Sequence, residues 1–442
     1  MATAAARPLT RPASRVGAPG ALALGALCIV YVLLAVLPAA HGSRLVLATA
    51  GGSPGWLLGP LRFAGASFAD SRAAGPLFYA GLWIALLLYV TVLLRVRDLP
   101  ARAVLWTIAG LHVLFLLAPP LLSQDVFSYI AYARLGVEHS LNPYTHSPLD
   151  IPGDSVFGFA GSKDAVSVYG PLFTLLSYPL APLGVAGAFW TLKAVAAACS
   201  LGVVALVWRG ARLFGRDPVV AAAFVGLNPL VLVHVVGGAH NEALVVLLTV
   251  LGVVVWGVGC RVSGVGISTA AVGIKASAGL VVPFLVVGDR ERWRRSLVAA
   301  VLVLAGLALV GFIAFGSHAL DALSFLNSNQ ERSSRWSFPY KTAQLLGAIL
   351  PGDRLDYRSA VRALYGVAFG VVFLWLLWRT WKGERPVRAA GWATFAILIA
   401  SAWLVPWYIL WLLPLAALAG DLRLTVASLA LCAWMLPIAI PL

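Results

Sequence analysis

AVLWTIAGLHVLFLLAPPLL, residues 103–122, runs for twenty positions without a charged side chain. Roughly 20 apolar residues is the length one helix needs to cross the hydrocarbon core of a bilayer. Comparable stretches recur at 20–40, 76–94, 186–208, 218–236, 242–259, 296–316, 359–378, 388–405 and 423–441, with a shorter one, WYILWLLPLAALAG, at 407–420. Hydrophobic residues make up 61% of the chain and charged residues 11%, and the mean hydropathy is +0.90. That is more apolar surface than a soluble domain needs to fill its core. The pattern predicts an all-α polytopic integral membrane protein of about 11 transmembrane helices, since only helices satisfy their own backbone within a bilayer. A basic cytoplasmic tail, residues 1–19, precedes a single transmembrane domain, 20–442.

Basic residues flanking the spans set the orientation. With the N-terminus inside, Arg7, Arg11, Arg15, Arg95, Arg97, Arg102, Arg209, Arg212, Arg216, Arg261, Arg290, Arg292, Arg294, Arg295, Arg379, Lys382, Arg385, Arg388 and Arg423 are cytoplasmic. Lys193 and Lys275 fall inside apolar segments. The net charge of +15 is thus a lipid-facing, positive-inside signature, with membrane lipids rather than nucleic acid as partner, and the excess of arginine over lysine, 27 to 5, hints at a GC-rich bacterial genome. The first apolar run is longer than a signal-peptide core and lacks a good cleavage site, so it reads as an uncleaved anchor.

Residues 264–287, GVGISTAAVGIKASAGLVVPFLVV, lie between two basic flanks that both belong on the cytoplasmic side. They are too few for two crossings, so the expectation is a re-entrant hairpin bending near Lys275. Such a break is tolerated where protein or a wet cavity surrounds it. Three sizeable loops then face outward, 41–75, 123–185 and 317–358, and long loops carry function more often than short ones.

The second of these loops opens with SQDVFSYIAYARLG, 123–136. At helical spacing, Asp125, Tyr129 and Tyr132 share a face opposite Val126, Ile130 and Ala133, which suits an amphipathic helix lying on the outer membrane surface. Asp125 is either a helix-start acid or a general base at the mouth of a membrane cavity. A second cluster, GGAHNE at 237–242, has the same ambiguity: Asn241 as helix cap and Glu242 as first-turn acid, or His240, Asn241 and Glu242 as a polar site. A third, NSNQERSSRWSFPYK at 327–341, holds Arg332, Arg335 and Lys341, by default a solvated loop face; interleaved with Trp336, Phe338 and Tyr340 they would also suit a phosphate held at the membrane surface. Lys275 is either a snorkelling residue or a functional intramembrane charge, the structural reading being slightly favoured; His112 reads as a packing residue, and Trp407 with its neighbours as outer aromatic belt. No metal motif and no nucleotide-binding loop is visible.

In this order, SQDVFSYIAYARLG with Asn142-Pro143-Tyr144, VYGPLFTLLS (168–177), GGAHNEAL (237–244), GIKASAGLVVPFLVV (273–287) and PWYILWLLPLAAL (406–418) resemble the polytopic glycosyltransferases of the GT-C superfamily. The series is most similar to actinobacterial polyprenol-phosphomannose-dependent α-1,6-mannosyltransferases, which build the mannan core of lipomannan. The resemblance implies inverting transfer of a sugar, mannose in that family, from a polyprenyl-phosphate donor to a glycan or glycolipid acceptor at the extracytoplasmic face, with Asp125 as base. No cofactor and no metal is implied, because the lipid-linked donor is itself a substrate. Charge and location make Arg335, Lys341, Arg134 and His240 candidates for the donor phosphate. Tyr129, Tyr132, Tyr169, Asn241, Glu242, Trp336 and Trp407 are candidates for substrate contact. A transporter or flippase for lipid-linked sugars is the competing reading, although transporters place their polar site near the midplane and often carry internal repeats.

Overall fold

In hydrocarbon every backbone N–H and C=O must find a partner within the chain, and the computed structural model answers with helices. It describes residues 17–40, 43, 45–46, 54–65, 71–320, 333–350 and 354–438, among which there is no strand. The first 16 residues with their three arginines, most of the 41–54 stretch, and residues 321–332 including Arg332 lie outside the described residues.

The passes alternate in direction. Helices α1 (Ala18–Val36), α2 (Ser71–Arg95) and α3 (Ala101–Leu117) are followed by α4 (Asp125–Val137) and a loop that returns through the short α5 (Pro171–Ser177) into α6 (Gly184–Leu213). Next come α7 (Pro218–Gly226), α8 (Glu242–Gly257), α9 (Arg261–Ala270), α10 (Val282–Val287) and α11 (Trp293–Phe315). After α12 (Phe338–Ile349), helices α13 (Arg354–Trp381), α14 (Pro386–Ala400), α15 (Ile409–Ala419) and α16 (Leu422–Met435) complete the bundle. Five helical stretches, Ala18–Ala39, Ala74–Asp98, Pro171–Leu213, Trp293–Ala319 and Tyr357–Trp381, are long and apolar enough to cross a membrane on their own. Shorter apolar helices pack among them, and the fold is that of a polytopic membrane protein.

One end of the bundle gathers the basic turns. There Arg97 pairs with Asp217 at 3.5 Å, Arg216 donates to the Ala419 carbonyl, Arg388 pairs with Asp421 at 2.7 Å, and Arg290 lies over Trp381. Asp217 and Asp421 also cap α7 and α16, each accepting from two backbone N–H groups, where a short acid is favoured. The opposite end holds the motif-bearing turns: Leu121 N–H meets the Gly237 carbonyl, Gly170 N–H the Ile274 carbonyl and Ser334 N–H the Ala402 carbonyl.

The α9–α10 segment is the expected hairpin. Helix α9 runs toward the motif-bearing end, the backbone turns extended at Lys275 (φ −155°, ψ 129°), and α10 returns so that Trp256 Nε1 donates to the Leu285 carbonyl near the basic end. His112 is a buried packing residue whose ring nitrogens bond the Ile108 carbonyl and the Ser200 hydroxyl. Helix α4 is covered by protein on nearly every side: all nine residues from Val126 to Leu135 other than Arg134 are buried. The helix is wedged against α5 and α6, because Tyr129, Tyr169 and Phe173 pack edge to face on the side read from sequence as polar.

Candidate active site

Pro229 interrupts the pass that begins with α7, since proline brings no N–H and clashes with the preceding turn. The Tyr31 and Tyr89 hydroxyls donate to the carbonyls of Leu227 and Phe224, and Asn228 Oδ1 accepts from the N–H groups of Leu230 and Val231. The chain resumes as a wide π-type turn, Val231–Val236, which delivers GGAHNE into the bundle end. At Gly238 a Cβ would stand 2.4 Å from the His234 carbonyl oxygen, so only glycine fits. Ala239 follows with φ +55°, sparsely populated for a residue with a side chain.

Lys193, fully buried on α6, holds this turn against the start of α4. Its ammonium donates to the carbonyls of Ala118, Pro119 and Gly237. A few residues on, Leu122 has φ +59°. Strained backbone persists where its surroundings over-determine it, and Lys193 supplies part of that constraint on both turns.

Four ionisable side chains converge here. Asp125 Oδ2 lies 3.5 Å from His240 Nδ1, which is 3.8 Å from Glu242 Oε2. Glu242 Oε1 accepts from the Lys275 ammonium at the hairpin bend. The His240 ring stacks on Trp407, centroids 3.8 Å apart, and Lys275 Nζ lies 4.9 Å from the Tyr408 ring centroid and 5.8 Å from that of Trp411. Neither acid is a helix cap. Asp125 receives its own backbone partner from Ser123, and Asn241, at the cap position of α8, makes no side-chain capping bond. Both ring nitrogens of His240, both amide atoms of Asn241 and Glu242 Oε2 are buried without a hydrogen bond. Buried polar atoms are normally paired, so this concentration singles the cluster out as the candidate site.

The His240 and Glu242 side chains are wholly buried whereas Asp125 is 41% exposed, so the aspartate faces an opening in an otherwise enclosed cluster. Surrounding protein pushes its carboxyl up to about 6, with the nearby Glu242 charge adding to the shift and Lys275 and Ser123 opposing it. Burial holds the His240 ring well below its ordinary value, and Lys275 acts in the same sense. His240 is therefore neutral at pH 7, a hydrogen-bonding ring and not a cation.

Residues 23–288 match the alpha-(1→6)-mannopyranosyltransferase family, N-terminal domain, and residues 345–442 match the MptB C-terminal domain. The chain belongs to this mannosyltransferase family. It is 29% identical to alpha-(1→6)-mannopyranosyltransferase A of Mycobacterium tuberculosis, over 82% of this chain and 74% of that protein. It is 24% identical to alpha-(1→6)-mannopyranosyltransferase A of Corynebacterium glutamicum over 68% of each chain, and 26% identical to a probable alpha-(1→6)-mannopyranosyltransferase of Mycolicibacterium smegmatis over 73% of this chain and 65% of the relative. No solved structure matches. The family assignment makes the protein a GT-C mannosyltransferase and sets aside the transporter reading.

The remaining candidates in this mannosyltransferase divide into those the fold brings to Asp125 and those it does not. Tyr129 does join the cluster, its hydroxyl oxygen accepting from the Asn241 N–H at 3.4 Å and its ring meeting Tyr169 edge on. Tyr132 anchors the following loop instead, donating to the carbonyls of Ala165 and Val166. Arg134, about 13 Å further along α4 at 1.5 Å per residue, is committed to Asp154 at 2.8 Å and to the Ala181 carbonyl. Burial alone would raise the Asp154 carboxyl, but Arg134 and His139 more than reverse that and hold it at about 2. Arg134 thus clasps the loop through Asp154, away from the Asp125 cluster. Lys341 lies over the Trp336 ring, Trp336 packs on Trp434, and Arg335 is exposed; among the described residues none of the three contacts the Asp125 cluster.

Sequence reasoning slightly favoured a structural Lys275 and set aside Tyr408 and Trp411 as belt residues. A signal for the lysine was present: one cation within an apolar segment and one acid at the head of another, each costly in a bilayer unless paired.

Proposed function

We propose that this mannosyltransferase transfers mannose from a polyprenyl-phosphate carrier to a hydroxyl of a glycan or glycolipid acceptor, with inversion, at the extracytoplasmic face of a bacterial plasma membrane. The names of the relatives carry an α-1,6 linkage, so the acceptor oxygen proposed is a primary hydroxyl, and one inversion to an α product requires a β-linked donor. Asp125 takes the proton of the acceptor hydroxyl as its oxygen bonds to the anomeric carbon, and the bond from that carbon to the phosphate oxygen breaks on the opposite face. Polyprenyl phosphate departs as an anion, so the leaving group needs charge stabilisation more than a proton. Lys275 is the cation in the cluster and joins Arg335 and Lys341 as a proposed phosphate ligand. The stacked pair Tyr408 and Trp411, 4.1 Å apart, with Trp407 offers a wall for the sugar, and Asn241, Glu242 and His240 offer unpaired polar atoms for its hydroxyls. Placing the basic end in the cytoplasm follows the positive-inside rule and puts Asp125 outside.

The observation that carries the reading is the open Asp125 carboxylate within a cluster of buried, unpartnered polar groups. In membranes supplied with polyprenyl-phosphate mannose, Asp125→Asn is expected to lower transfer by about 10²–10⁴-fold, the usual contribution of a general base, while donor binding persists. Full activity in that variant removes Asp125 from the role.

A further inference from the structure

A cleft of about 530 Å³ runs between α13 and α14. It extends from Tyr365 and Ala400 toward the motif-bearing end to Arg379, Glu384, Arg388 and Arg423 at the basic end. Its walls are aromatic and aliphatic, Phe369, Trp375, Trp392 and Phe395 among them. The catalytic cluster uses none of these residues.

The charge at the basic end is arranged asymmetrically. Glu384 accepts from Arg379 and Arg388, and Asp421 accepts from Arg388 Nε and Trp392 Nε1. Both acids are covered, with side chains 16% and 8% exposed, while Arg379 and Arg388 remain 46% and 39% exposed. Arg423 is exposed as well, and Lys382 and Arg385 stand on the same turn. The carboxylates are thus consumed in orienting the arginines, and what an approaching headgroup meets is a fork of guanidinium N–H groups above an apolar slot.

We propose that this cleft binds an anionic phospholipid, its phosphate on Arg379, Arg388 and Arg423 and an acyl chain along the α13–α14 slot. Basic pockets between membrane helices at a bilayer surface recognise anionic headgroups in this way, and guanidinium groups match phosphate with paired N–H donors. The isoprenoid tail of the donor does not account for the arginines, because its single phosphate belongs at the opposite end, beside Asp125.

The test uses the full-length protein in zwitterionic detergent, with lipid retention read by native mass spectrometry and thermal unfolding followed on adding phosphatidylglycerol or phosphatidylcholine. Phosphatidylglycerol is expected to be retained and to raise Tm, and phosphatidylcholine to do neither. Arg379→Gln/Arg423→Gln, two exposed changes, should weaken phosphatidylglycerol retention on the order of tenfold, and Ala396→Trp, which fills the slot, should abolish it with both arginines intact. Equal retention of the two lipids, or phosphatidylglycerol binding unaltered in both variants, overturns the proposal. Displacement of phosphatidylglycerol by undecaprenyl phosphate that is insensitive to the two arginine changes would also overturn it and assign the slot to the donor chain.

Discussion

Asp125 is held by its neighbours in a state where proton affinity and exposure oppose each other, and its pH behaviour follows. With its carboxyl raised to about 6, Asp125 is ionised at pH 7 and protonated below about 6, so with Asp125 as the proposed base kcat/KM should fall on the acid side with a midpoint near that value. A flat profile between pH 5 and 7 would exclude Asp125 as base. Folding raises this proton affinity, so the ionised form is disfavoured in the native state above pH 6, and that disadvantage is relieved as pH falls through 6 toward 4. Asp125→Asn should therefore raise Tm at pH 7.5, with the gain shrinking toward pH 4.5, even as transfer is lost. For the neighbouring pair the expectation reverses. Glu242 is fully buried against Lys275, and removing one partner of a buried pair strands the other, at a cost on the order of 3 kcal/mol. Glu242→Gln should show that loss in denaturant unfolding, and Glu242→Gln/Lys275→Met should recover part of it. Equal losses in the single and double variants would mean that the pairing contributes little.

The elements around the site are held in place by close backbone approach. Gly170, ahead of α5, donates its N–H to the Ile274 carbonyl at 3.0 Å, and a Cβ there would lie 2.2 Å from the Gly273 carbonyl oxygen. This contact ties the motif VYGPL to the hairpin motif GIKAS, although about 100 residues separate them. Gly170→Ala should push α5 off the hairpin bend, displacing Lys275, and reduce kcat well before helical content changes by circular dichroism. Unchanged kinetics would show that the bend is positioned without α5. Lys193 acts on the other side of the cluster. Replacing it with Met keeps the length but removes this donor from the Ala118, Pro119 and Gly237 carbonyls; Gly237 keeps the Leu121 N–H, and a buried group left unpaired costs about 1–3 kcal/mol. Lys193→Met is expected to lower Tm and kcat together, because Leu122 and Ala239 lose a constraint on their strained geometry.

At the scale of the whole molecule, the motif-bearing turns and the basic turns occupy opposite ends of one helical bundle. With the basic end in the cytoplasm, Ser333→Cys should react with an impermeant thiol reagent added outside intact cells and Arg292→Cys should react only after permeabilisation; the reverse pattern would invert the proposed topology. The helical membrane class, the hairpin at 264–287 and the buried role of His112 were legible in the sequence, because bilayer thickness and the expense of unpaired charge in hydrocarbon act on residue order alone. Asp125, His240, Asn241 and Glu242 could be singled out for the same reason, as polar residues at the ends of apolar runs. Their convergence could not, because Asp125 and Lys275 are 150 positions apart and no local pattern records a contact between different helices. The same limit explains why the cover over α4 was not legible. Its aromatic face is amphipathic in composition, yet Tyr169 and Phe173 from a later segment cover it. The Arg134 pairing with Asp154 depends on a loop whose path residue order does not record. Sequence determined which segments must lie in the membrane and which residues are too costly there to be idle. Tertiary structure decided which of those residues meet, because pairing across the bundle depends on helix packing and on backbone breaks at Pro229 and Lys275 that bring the turns together.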